Sequence, residues 1–194
     1  RDAFESAFLE RQAFEEHFQS DVLSGDLTWE TSYGLPGEGE PPRVVAHITF
    51  EWPAWSQAAY RHWYLEEVLE RRPAIEIEIV LRVQQLTDPA DPAVIYSTVP
   101  EMSPLIGDDR LERAGMTAEV AHPDPADDPP NIGEARSEHA IEITYEGLYE
   151  LAEATVADGT NSLLDEHFGA LGGWIASTLV KLGDLSLDFL PDPD

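Results

Sequence analysis

The chain has 194 residues, of which 39 are Asp or Glu and 11 are Lys or Arg, so its formal net charge is -28. This balance excludes recognition of phosphate groups, because nucleic acids and anionic lipid surfaces attract clusters of Lys and Arg. Hydrophobic residues make up 42% of the chain, which is enough for a core. The absence of Cys excludes disulfides and thiolate metal sites.

Hydrophobic periodicity and the positions of Gly and Pro divide the chain into helices and into strands that come in consecutive pairs. In chain order, the predicted elements are a helix over 1–20, strands over 27–33 and 43–52, a helix over 53–72, strands over 74–86 and 93–99, strands over 116–122 and 137–146, and helices over 147–157 and 162–183.

The clearest of these strands is 74–86, in which Ile, Leu and Val alternate with Glu, Arg and Gln. One buried face and one wet face are typical of an antiparallel sheet. With the pairwise order of the strands, this predicts an α+β fold whose antiparallel sheet packs against N-terminal, central and C-terminal helices. We expect a single domain over residues 1–194, with a long acidic, Pro-rich loop at 123–136.

The acidic residues are dispersed along the whole chain, and Lys181 is its one lysine. A dispersed acidic coat destabilises a compact chain through self-repulsion, and molar salt removes most of that penalty because it shortens the Debye length to about 3 Å. We therefore expect a cytoplasmic protein of a high-salt organism. Two alternatives stay open. A GC-rich genome would explain the scarcity of lysine but not the excess of acids, and an acidic decoy of DNA would explain the acids.

The longest apolar run covers residues 168–180, which is shorter than the roughly 18 residues of a membrane span. We interpret it as a buried core helix and expect no membrane partner. The residues from Arg1 onward show no signal-peptide pattern.

Aromatic residues are concentrated in and before the central helix. Five of them are candidate binding residues: Trp52, Trp55, Tyr60, Trp63 and Tyr64. They cover more of the helix than one buried stripe needs, so we expect this helix to be buried on two sides. Because Trp and Tyr are enriched at interface hot spots, one side is predicted to meet a protein partner, a second copy in a homodimer or a small molecule. The alternative is packing between the sheet and the helices.

His122 and His139 lie on the apolar faces of the predicted strands 116–122 and 137–146. A hairpin of these strands across the long loop 123–136 would bring the two imidazoles close together where the strands meet that loop. With Glu138 or an Asp of the following loop, they would form a ligand set for zinc or a similar divalent metal. Two half-buried histidines bonded to backbone are the alternative.

The sequence contains no P-loop, GxGxxG, GxSxG or HExxH motif, so it identifies no catalytic residues. Our first hypothesis is a non-enzymatic protein- or ligand-binding domain adapted to high salt. The second is a small metal-assisted hydrolase centred on His122 and His139. The third is a small-molecule sensor with an aromatic pocket.

Overall fold

The computed structural model describes residues 4, 6, 19–23, 27–35, 41–64, 71–121, 137–152 and 162–191. The helices and strands defined there are β1 (Gln19–Leu23), β2 (Thr28–Gly34), β3 (Val44–Glu51), α1 (Ala54–Tyr64), β4 (Ala74–Leu86), α2 (Pro92–Thr98), β5 (Glu112–Ala121), β6 (Glu138–Glu150) and α3 (Ser162–Gly183).

The six strands form one sheet in the order β1-β2-β3-β4-β6-β5, and all of its neighbouring strands are antiparallel. The predicted mixed fold with an antiparallel sheet is confirmed. The consecutive strands β2 and β3 form a hairpin that places Trp29 opposite Phe50. The longest ladder joins β4 to β6 and runs from Ala74 opposite Glu150 to Val83 opposite Ile141.

Alternation along the strands gives this sheet one apolar and one polar face. The core residues of β4 and β6 are Ile77, Ile79, Leu81, Val83, Ile141, Ile143, Tyr145 and Tyr149, all of them buried. The residues between them on β4 are more exposed, with Glu78 open to solvent and Arg82 half-buried. The predicted division of strand 74–86 is therefore confirmed.

The long helix α3 lies on the apolar face, where it packs on β3 and α2. Its buried stripe has the three- and four-residue spacing of an amphipathic helix and consists of Leu171, Ile175, Leu179 and Leu182. The ring of Trp174 meets that of Tyr145 edge-on, with the centroids 5.1 Å apart. The predicted packing of the C-terminal helix on the sheet is confirmed. Among the described helices, none combines the length and the apolar composition that crossing a bilayer requires.

The N-terminal segment reaches the core through Phe4, which is helical and fully buried. Gln19 and Ser20 already belong to β1, so the helix predicted over 1–20 ends before them. Apart from Ser6, the rest of that prediction lies outside the described residues. The central helix also ends earlier than Arg72, because residues 71–73 are not helical.

The prediction of a strand over 93–99 is wrong, because this segment is the helix α2. Asp91 caps it, accepting a hydrogen bond from the Ala93 backbone N–H at 2.9 Å. Pro92 occupies the first turn, where a missing N–H costs nothing. Ile95 is buried while Val94 and Tyr96 are exposed. The cap and one buried side chain therefore outweigh the strand preference of the sequence Val-Ile-Tyr.

The short helix predicted over 147–157 is wrong at its start, since β6 continues to Glu150. Tyr149 keeps the alternation because it is buried on the core face opposite Ile75. β5 begins at Glu112, earlier than the predicted residue 116. The predicted loop at 123–136 lies outside the described residues.

Candidate functional site

An apolar pocket of about 210 Å³ lies at one end of the sheet, where β2, β3 and β4 meet the start of α1. We name it the aromatic pocket, and its lining residues are Leu27, Trp29, Phe50, Glu51, Trp52, Ile75 and Leu151. Among these described residues only Glu51 is charged. The pocket therefore offers a largely apolar surface to whatever enters it.

Trp29 and Phe50 form one wall of the aromatic pocket. They stand directly opposite each other on β2 and β3, and their rings are stacked with centroids 5.1 Å apart. Phe4 meets both rings edge-on, at 6.0 Å from Trp29 and 5.4 Å from Phe50. Phe168 of α3 contacts Phe50 at 5.7 Å. Because other elements hold both rings in place, this wall is formed before any ligand arrives.

Leu27 stands at the rim of the pocket in an unusual backbone conformation. Its φ is 57°, in the left-handed region, which costs a non-glycine residue roughly 1–2 kcal/mol. Its carbonyl oxygen accepts a hydrogen bond from the Trp52 backbone N–H at 3.1 Å. Its side chain is 45% exposed. The hydrogen bond thus holds an apolar side chain at the mouth of the pocket.

Trp52 lies two residues before the start of α1 and lines the pocket. Its indole N–H donates to Ser56 Oγ at 2.8 Å, and this hydroxyl also donates to the Ala74 carbonyl oxygen and accepts from the Ala74 N–H. The Tyr60 ring meets the rings of both Trp52 and Trp63 edge-on, with centroid distances of 5.5 Å and 6.1 Å. A buried hydroxyl with all of its partners therefore ties Trp52 and α1 to the first residue of β4.

The other predicted binding residues are distributed around α1. Trp55 donates its indole N–H to Glu76 at 3.1 Å and lies under the Arg71 guanidinium, 3.5 Å from the ring centroid. Tyr64 ends the helix, and its side chain lies outside the described part of the chain. Of the predicted set, Trp52 lines the aromatic pocket, and the structure adds Trp29 and Phe50. Only the strand register could have revealed that these two rings meet.

An acidic hollow of about 440 Å³ lies beside the aromatic pocket on the polar face of the sheet. Glu51 lines both. In the strand register Glu51 is opposite Glu76, while Glu146 has Glu78 on one side and Glu112 on the other. Like charges directly opposite each other destabilise a sheet, and dissolved ions screen that repulsion. The stability of this face is therefore expected to depend on ionic strength.

Farther along the same face, His47 Nδ1 lies 2.7 Å from Ser32 Oγ. Partial desolvation lowers the pKa of His47; the nearby Glu142 carboxylate opposes this shift, and the Arg82 guanidinium adds to it. Arg82 pairs with both Glu142 and Glu119. The basic groups here are thus engaged by carboxylates of the same chain.

The predicted metal site cannot be assembled from the described residues. His139 is half-buried on β6, opposite Val120 of β5. His122 lies outside the described residues. Within the part of the chain that the structure describes, no group of three or more His, Asp and Glu side chains is arranged to hold a metal ion. Zinc binding by His122 and His139 stays a prediction.

A polar cleft of about 320 Å³ contains a residue pair that the sequence did not suggest. Tyr149 Oη and His167 Nδ1 are hydrogen-bonded at 2.8 Å, although the two residues lie on β6 and α3. Gly107, at a φ of 65°, packs so closely that a Cβ there would lie 3.0 Å from His167 Cε1. No spacing in the sequence could reveal this pair, because tertiary packing brings the two elements together.

Comparison with known proteins adds no functional assignment. No protein-family model matches the chain, and no curated protein and no solved structure matches it either.

Proposed function

We propose that this protein is a non-enzymatic binding domain that works in a cytoplasm of molar salt and takes one apolar side chain of a protein partner into the aromatic pocket. The observation that carries the proposal is the preformed wall of Trp29 and Phe50 at the protein surface. Buried aromatic anchors that fill such pockets dominate the energetics of protein interfaces.

The size of the pocket favours a side chain over a free small molecule. Its 210 Å³ is below the roughly 300–1,000 Å³ of pockets that enclose a drug-sized ligand. A small-molecule sensor would need more enclosure than this pocket offers. A side chain needs less, because the partner's own surface covers the pocket mouth.

The charge of the chain favours the same mode of recognition. Molar salt screens attraction between charges but leaves the burial of apolar surface as a driving force. The carboxylate rows of the neighbouring acidic hollow keep the surface hydrated. Contact through rings and aliphatic groups is therefore the kind of recognition that works in such a medium.

The pocket can be tested by ¹⁹F NMR, with the five tryptophans replaced by 5-fluorotryptophan. The probe is N-acetyl-phenylalaninamide, added in molar KCl. We expect the signals of Trp29 and Trp52 to shift, while those of Trp63 and Trp174, which do not line the pocket, stay in place. Replacement Trp52→Ala should weaken probe binding about tenfold or more, and the matched replacement Trp63→Ala should not.

Two outcomes would contradict this proposal. One is the absence of shifts at Trp29 and Trp52 when the probe is saturating. The other is much tighter binding of free indole than of N-acetyl-phenylalaninamide, which would support the alternative of a small-molecule sensor.

Adaptation to salt has a separate test. The free energy of unfolding, measured by chemical denaturation at constant pH, should rise between dilute buffer and molar KCl, because the repulsion across Glu78, Glu146 and Glu112 is screened. Unchanged or lower stability in KCl would contradict the high-salt hypothesis and leave the pocket hypothesis standing.

A further inference from the structure

The outermost strand β5 is exposed on both faces. Of its ten residues, only Arg113 and Met116 are partly buried, and Val120 is 48% exposed. The reason is its place in the sheet, since α3 packs over β3 and reaches β6 where Trp174 meets Tyr145, and β5 lies beyond β6. The residues of β5 on the apolar face of the sheet therefore lie beyond the packed core and remain exposed.

The first part of this edge is occupied and the second part is open. The Arg113 N–H donates to the Glu101 carbonyl oxygen at 2.9 Å, and Met102 forms a bridge with Glu112. A β-bulge follows between Arg113 and Gly115. From there to Ala121, no strand of the described residues pairs with the outer side of β5. An edge of this kind is a template for another strand.

Beyond the bulge, residues 115–121 lack most of the features that usually protect an edge. They contain no Lys and no Pro, and their one charged residue, Glu119, is paired with Arg82 of the same chain at 2.9 Å. Small and apolar residues make up most of the rest. This composition favours pairing over repulsion.

The segment is also symmetric in residue class. It reads Gly-Met-Thr-Ala-Glu-Val-Ala, with Ala118 at its centre. Antiparallel pairing with a second copy would place Ala118 opposite itself, Met116 opposite Val120 and Thr117 opposite Glu119. Apolar residues then meet apolar residues, and no carboxylate faces another. Along β5, every second residue directs its N–H and C=O groups outward. A two-fold axis through Ala118 pairs outward-directed residues with outward-directed residues, as a symmetric interface requires.

We infer that residues 115–121 form the interface of a homodimer in which two sheets join edge to edge across Ala118. This inference does not rest on the aromatic pocket, which lies at the ends of β2, β3 and β4. Each chain has a net charge of -28, so the dimer forms in molar salt, where the mutual repulsion is screened. In dilute buffer the same chains separate.

The absence of Cys makes disulfide cross-linking a clean test. In molar KCl with diamide as oxidant, Ala118→Cys should give a covalent dimer, because directly opposite Cβ atoms in paired strands are about 4.5–5.5 Å apart, and a shift of about 1 Å at this exposed edge brings them into the roughly 3.5–4.5 Å range of a disulfide. A mixture of the Met116→Cys and Val120→Cys variants should cross-link as well. Neither variant alone should cross-link. Met116 lies opposite Val120 of the other copy, so the two copies of either position are four residues, or about 13 Å, apart along the strands.

A second variant tests the interface without a covalent bond. Ala118 is exposed, so Ala118→Glu should leave the circular dichroism spectrum unchanged. It places two carboxylates opposite each other, so the variant should need a higher KCl concentration than the wild type to dimerise, measured by light scattering across KCl concentrations. A wild-type chain that is monomeric in molar KCl would overturn the inference. So would equal cross-linking of all three cysteine variants, or a KCl dependence of dimerisation that Ala118→Glu leaves unchanged.

Discussion

The two faces of the β4–β6 ladder are built from alternate residues of the same strands and are stabilised in opposite ways. On one face Ile79 lies opposite Tyr145, buried on the side that α3 covers. On the other, Glu78 lies opposite Glu146 and meets solvent. Burial stabilises the first face at any ionic strength, whereas repulsion between carboxylates weakens the second face unless ions screen it.

This difference also separates two roles on the surface. In the proposed high-salt medium, the carboxylate face would keep the chain hydrated. The aromatic pocket is where core residues, Trp29 and Phe50, reach the surface at the end of the sheet. In the proposed function, solubility and recognition are therefore assigned to different regions of one sheet.

The largest expected effect contrasts neighbouring residues of β4. Ile79→Ala should lower the free energy of unfolding by about 2–5 kcal/mol, because it leaves a cavity at a fully buried position. Val80→Ala, on the half-buried polar face, should cost less than about 1 kcal/mol. Denaturant unfolding in molar KCl measures both. Equal losses would show that the two faces are not distinct in packing.

A close backbone contact tests the packing of the covered face. A Cβ at Gly147 would lie 2.7 Å from Leu111 Cδ2 and 2.9 Å from the Arg110 carbonyl oxygen. Gly147→Ala should therefore destabilise the fold by about 1–3 kcal/mol. Gly115→Ala is the matched control, because a Cβ there meets nothing within 4 Å. Thermal unfolding of both variants in the same buffer measures this difference. An unfolding midpoint that Gly147→Ala leaves unchanged would refute the close contact.

On the open face, removing a charge should stabilise the protein. Glu146→Gln relieves repulsion from Glu78 and Glu112 and should raise the free energy of unfolding by about 0.5–1 kcal/mol in dilute buffer. The gain should shrink toward zero in molar KCl. Glu30→Gln, whose neighbour on β3 is Thr49, is the control and should gain less. A gain that persists in molar KCl would argue against screening as its cause.

The smallest effect concerns pH. Desolvation lowers the pKa of His47 below its usual 6.5, so the unfolded chain binds a proton more readily than the folded one. The stability that neutral His47 contributes is present above about pH 6.5 and is lost as the pH falls toward its folded pKa. His47→Gln should remove this part of the decline between neutral pH and about pH 5. Parallel stability curves for wild type and variant would contradict it.

Local patterns predicted much of the fold. The alternation of strand 74–86 located both faces of β4, and the three- and four-residue spacing of apolar residues located α3. Prediction failed where a few contacts outweighed local preference. At α2 the Asp91 cap and buried Ile95 overrode a strand-like sequence, and at β6 the pairing of Tyr149 with Ile75 extended a strand into a predicted helix.

The candidate site was less accessible to prediction. Aromatic clustering pointed to Trp52, which lines the pocket, but the pocket partners Trp29 and Phe50 come from the β2–β3 hairpin. The Tyr149–His167 pair likewise joins two elements that no spacing rule connects. The register of the strands decides that Trp29 meets Phe50, and the packing of α3 on the sheet decides that His167 meets Tyr149; both depend on contacts distant in sequence.

The sequence by itself determined the acidic coat, the lack of thiol chemistry, the alternating strand and the amphipathic final helix, because these depend on composition and on residues a few positions apart. Only the tertiary structure decided that Glu78, Glu146 and Glu112 stand in one row, that the rings of Trp29 and Phe50 line one pocket and that β5 ends the sheet unpaired among the described strands. Each of these depends on which strands lie side by side and in what register, and the hydrophobic pattern of any single strand is compatible with many such arrangements.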